Sequence, residues 1–189
     1  MENGYFYSRR ENVNDLYYDA MELLHGNIEE ARKAEKLLAK ALGLDPNNIQ
    51  THIGFAHLYG RLKNKKKTEE HIKKAYEETT KKFPVWPKRM EWGDMDNRAY
   101  MRAIQYRADL YADDGEKEKA VSLYRLLLKL NPNDNQGARY TISGVYAGIS
   151  GKEINKMFDE CNRRQNWARL EDLIKKQNAK HKFWKEPRF

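Results

Sequence analysis

Apolar residues recur at spacings of three and four through most of this chain, the period of one helix face rather than of a strand. Asn14 or Asp15 can cap a first helix bearing Leu16, Met21 and Leu24, which stops at Gly26-Asn27. Ala31, Ala34, Leu38, Ala41 and Leu42 stripe a second helix over 28–42. Asp45-Pro46 ends it, because proline disfavours helix in the residue before it. Ile53, Ala56 and Tyr59 mark a third helix over 49–62, and Ile72, Ala75 and Tyr76 a fourth over 65–83. The pattern then breaks at Phe83-Pro84-Val85-Trp86-Pro87 and Trp92-Gly93-Asp94. It resumes over 97–111, turns at Asp113-Asp114-Gly115, and returns over 116–130 to Asn131-Pro132. Further helices are predicted over 135–147 and 152–162, and a last amphipathic segment carries Trp167, Leu170, Leu173 and Ile174.

Paired helices repeat with a period of about 34 residues, which predicts stacked hairpins, none able to bury its apolar face alone. The units fall near 15–48, 49–83, 97–132 and 135–162, with the regular array over 15–148. Residues 1–13 read as a leader, 84–96 as an inserted loop, and 163–189 as a basic C-terminal helix and tail. Pro46 and Pro132 stand 86 residues apart, which is not a whole number of repeats, and the surplus falls in the loop. A loop with Trp86 and Trp92 should fold back on the array rather than float.

The residues at matching places in the hairpins resemble the tetratricopeptide repeat family. The first has Tyr18, Met21, Ala34, Leu38, Ala41 and Pro46, the second Phe55, Ala56, Tyr59, Ile72 and Ala75. The third has Ile104, Ala108, Tyr111, Ala120, Tyr124, Leu127 and Pro132. Glu22, Thr68 and Arg107 depart from that pattern. A narrower resemblance, to a prokaryotic subgroup without a settled role, rests on Trp92-Gly93, on Asn97-Arg98-Ala99-Tyr100-Met101-Arg102 and on Asn131-Pro132-Asn133-Asp134-Asn135-Gln136-Gly137. The resemblance implies an all-α, right-handed superhelix of three to four hairpins plus a C-terminal helix. It also implies a protein-interaction scaffold that binds a peptide or partner segment in a concave groove lined by the first helix of each hairpin.

Carried onto this sequence, those groove positions hold Gln50, Ile53, His57 and Arg61 in the second unit, and Arg102, Gln105, Tyr106, Asp109 and Asp113 in the third. Arg139 and Tyr140 follow in the next helix, with Arg98 and Asn135 beside them and Trp86 and Trp92 in the loop. Arg102 and Arg139 could grip a carboxylate while the tyrosines offer flat contact area. Alternatively, Arg98, Asn135 and their neighbours cap helices and tie the loop down. The clamp by which some family members hold a C-terminal carboxylate is not supported, since Asp19 and Leu23 stand where it needs Lys and Asn.

Charge adds a second candidate. The formal charge is +8, but it is uneven. Residues 1–60 carry 6 basic against 9 acidic side chains, 61–160 carry 21 against 16, and the last 29 carry 9 against 3. Arg163, Arg164, Lys175, Lys176 and Lys182 interleave with aromatics, a mixture that suits nucleic acid and equally suits a packed helix with wet lysines. No apolar run approaches a membrane span, and one cysteine, Cys161, fits a reducing compartment, which points to the cytoplasm. Glycine-loop, HExxH and CxxC patterns are missing, and His52 and His57 do not share a helix face. Neither an enzyme nor a cofactor is expected.

Overall fold

The computed structural model describes residues 12–187; the rest of the expected leader lies outside them. Among the described residues the chain is helical with no strand. In order the helices are α1 (Val13–Leu23), α2 (Ile28–Leu44), α3 (Ile49–Arg61), α4 (Lys65–Lys82), α5 (Met95–Asp113), α6 (Lys117–Leu130), α7 (Ala138–Ala147), α8 (Gly151–Arg164) and α9 (Ala168–His181). The chain divides into two compact units, 1–74 and 75–189, the border falling inside α4.

In the first unit, each helix start has a side chain that satisfies backbone amides left unpaired by the first turn. The Asn12 side chain accepts from the Asp15 amide, and Asn27 forms a reciprocal capping box with Glu30. Asn48 accepts from the Thr51 amide. α1 and α2 then pack as a hairpin with α3 against both. Tyr17, Ala20, Ala31, Ala34, Leu38, Phe55, Leu58 and Tyr59 form the core, so the stripe read from sequence is the buried one. Leu38 and Leu58 are wholly buried, each worth roughly 2 kcal/mol of hydrophobic stabilisation. Gly54 is small because a Cβ there would lie 2.8 Å from Leu38 Cδ2 and 3.2 Å from Tyr17 Cε2.

The second unit is built on the α5–α6 hairpin, with α6 against α7, α7 against both α8 and α9, and α8 touching α5. Met101, Ile104, Ala108, Tyr124, Leu130, Ile142 and Leu170 are wholly buried at its centre. The inserted loop lies on this hairpin. The Met90 amide donates to the Leu130 carbonyl at 2.8 Å, and the Met90 side chain is buried. Phe83 stacks on Trp86 and meets Tyr100 edge-on at 5.0 Å. Asp94 caps α5, which therefore starts two residues before the predicted Asn97.

α7 starts three residues later than the period predicts. Asp134 and Gly137 both take left-handed backbone, φ 51° and 75°, and turn the chain before a helix can form. The Asp134 carboxylate supplies the cap instead, accepting from the amides of Ala138 (2.7 Å) and Arg139 (3.1 Å). The tail also folds onto this unit. Asn178 Oδ1 accepts from the amides of Phe183 and Trp184, the Trp184 indole donates to the Pro132 carbonyl, and Phe183 is buried. No helix among the described residues is long and apolar enough to cross a membrane.

Candidate functional site

A cleft of about 860 Å³ opens in the second unit between α5, α6, α7 and α8. Gln105, Asp109 and Asp113 line it from one stripe of α5, four residues apart. Tyr124 and Lys117 come from α6, Thr141 and Val145 from α7, and Lys152, Asn155, Lys156 and Asp159 from α8. The α8 face is fixed by Ser150, whose hydroxyl caps the helix and whose amide bonds Glu153 in return. Gly148, at φ 71°, makes the sharp turn that brings α8 back beside α7.

Asp109 is the most perturbed acid in the cleft. The Tyr124 hydroxyl donates to its Oδ1 at 2.5 Å. Burial pushes the Asp109 carboxyl up to about 6 against that hydrogen bond, with the Asp113 charge adding to the rise. Burial and the Asp109 charge also push the Tyr124 phenol upward. Gln105 is held in place by Gln136, whose amide nitrogen donates to its Oε1 at 2.8 Å. The cleft thus combines apolar side chains, a half-buried acid and a rim of lysines.

Of the groove residues expected from the repeat pattern, Gln105, Asp109 and Asp113 line this cleft. Arg102 and Tyr106 are half-buried on α5, and Asn135 is exposed in the turn before α7. Arg139 donates to Asp134 at 2.9 Å and to the Tyr140 hydroxyl at 2.8 Å, its guanidinium lying over the Tyr140 and Trp184 rings. Tyr140 is buried against Phe158. Arg98 donates to the Trp92 carbonyl at 2.7 Å and lies over that indole, tying the loop to α5. Arg61, in the first unit, donates to the carbonyls of Leu24 and Gly26 and closes the α1–α2 turn. The α8 residues of the cleft are not legible in the repeat pattern, because α8 reaches α5 only through tertiary folding.

A second, basic recess of about 520 Å³ lies between α6 and the tail, lined by Arg89, Arg125, Lys129, Trp184 and Lys185. Arg125 is engaged there, donating to the Tyr146 hydroxyl and the His181 carbonyl. Along the basic C-terminus Arg163, Lys175, Lys176 and Lys182 are exposed, and Arg164 pairs with Glu160 at 3.1 Å. Of its aromatics, Trp167 lies on Phe158 and Phe183 against Tyr146, while Trp184 is half-buried in the wall of the basic recess. No group of three or more His, Cys, Asp or Glu side chains among the described residues could hold a metal ion.

The fold defines an all-helical repeat protein built of antiparallel hairpins. Residues 102–134, most of α5 with all of α6 and the turn after it, match the tetratricopeptide repeat family model. The chain carries a tetratricopeptide repeat at that hairpin, and the resemblance read from its residues is borne out there. No curated protein and no solved structure gives a significant match to the chain. Repeats of this family generally mediate protein–protein interaction, which supports a scaffold role.

Proposed function

We propose that this chain is a protein-interaction module and that the cleft between α5, α6, α7 and α8 takes an extended segment of a partner protein. The observation that carries this reading is the position of the cleft: its α5 and α6 walls belong to the hairpin that matches the tetratricopeptide repeat. About 860 Å³ suits a few side chains rather than a globular surface. Arg102 and Tyr106, on the same helix as Asp109, are the groove residues through which the segment would extend along α5. Nucleic-acid binding through Arg163, Arg164, Lys175, Lys176 and Lys182 is the weaker reading, because the aromatics interleaved with them, Trp167 and Phe183, pack on Phe158 and Tyr146.

Selection of a random displayed peptide library on the immobilised chain tests the module. Peptides should be enriched on the unsubstituted chain and lost on Val145→Trp, which fills the cleft from α7, while Arg61→Ala in the first unit should retain them. Enrichment that survives Val145→Trp would place binding elsewhere.

A further inference from the structure

We infer that the cleft recognises a basic side chain, a Lys or Arg of the partner segment, which it seats against the carboxylate of Asp109. This rests on the cleft being the binding site, and it adds the chemistry of what is bound. Asp109 lies within the cleft wall and accepts a hydrogen bond from Tyr124 on one oxygen, Oδ1. Among the described residues no Lys or Arg pairs with it. Asp113, one turn further along α5 and also on the wall, adds negative potential in the same direction.

A carboxylate partly withdrawn from water without a cation is penalised, and a cationic partner offsets what that burial removes. An uncharged Asn would serve the Tyr124 contact at lower cost, so that contact alone does not account for an acid here. The lysines of the cleft, Lys117, Lys152 and Lys156, are all exposed, with their charges in water at the rim. They oppose a run of basic residues and so restrict the segment to a single basic anchor, which is a specificity and not merely an attraction.

The test uses the full chain and the peptides selected on it. Enriched peptides should share a Lys or Arg whose replacement by norleucine weakens binding at least about 10-fold. In Asp109→Asn, that replacement should cost nothing further, because the interaction it removes is already gone. Lys152→Glu with Lys156→Glu, both on the exposed rim, should tighten the same peptides several-fold and decides the matter if Asp109→Asn fails to fold. Peptides that bind in the cleft without a basic residue, or equally well to Asp109→Asn, would overturn this inference and leave the module standing. Peptides unaffected by the rim charges would do the same. If no peptide is enriched at all, both fall together.

Discussion

Two imidazole rings meet in the first unit, His52 Nδ1 lying 2.9 Å from His71 Nδ1. His52 Nε2 lies 3.1 Å from the Pro46 carbonyl, which can only accept, so Nε2 carries the proton and His52 Nδ1 accepts from His71. A proton added to His52 would go on Nδ1 and set two donors face to face, whereas one added to His71 goes on Nε2 and meets the cost of burial instead. Burial first, and His52 second, lower the His71 pKa to about 4 from 6.5. The sign follows: between pH 6.5 and about 4 the unfolded chain takes a proton that the folded chain refuses. Stability is therefore full above that window, falls as pH drops through it, and levels off below. With His71 only half-buried, the loss is on the order of 1 kcal/mol. Urea unfolding at several pH values should show this decline, reduced in His71→Gln. An equal decline in that variant would assign it to other groups. Sequence spacing drew attention to His52 and His57 and missed this pair, because its members sit on different helices 19 residues apart.

Among elements, the contrast between glycines separates packing from propensity. A Cβ on Gly144 in α7 would lie 2.6 Å from Ile154 Cγ1 on α8, whereas one on Gly60 in α3 would meet nothing within 4 Å. Gly60→Ala should stabilise by about 0.5–1 kcal/mol through helix propensity alone. Gly144→Ala gains the same propensity but forces apart two packed helices, costing about 1–3 kcal/mol, and should come out net destabilising. Thermal melting of both variants reads the difference; a Gly144→Ala chain that melts higher would mean the α7–α8 contact yields freely. Helix cores were legible because burial imposes the 3.6-residue period on the apolar stripe, as at Ala31, Ala34, Leu38 and Ala41. The start of α7 was not, since left-handed backbone at Asp134 and the carboxylate cap it permits leave no trace in hydrophobic spacing.

For the whole molecule, the positive charge suggests affinity for phosphates, and the packing limits what that affinity can become. Lysines and arginines without free aromatic faces attract any polyanion and distinguish none. Retention on immobilised single-stranded RNA should therefore fall steeply between low and physiological salt and show no preference among homopolymers. Tight retention of one homopolymer at physiological salt would revive nucleic acid as the partner. The repeat period and the irregularity before Asn97 were both readable along the chain. The cleft was only partly so: Gln105, Asp109 and Asp113 were, because they sit on the expected face of α5, but the Tyr124 partner of Asp109 and the α8 wall depend on contacts between distant segments.

The bond from the Met90 amide to the Leu130 carbonyl also finishes a helix end. Leu130 is the last residue of α6, and its carbonyl is among those a helix leaves unpaired at its end. The loop reaches it across 40 residues of sequence, so the contact exists only where α5 and α6 are closed as a hairpin. The inserted segment thus behaves as a latch across its hairpin, supplying the donor that the end of α6 would otherwise lack.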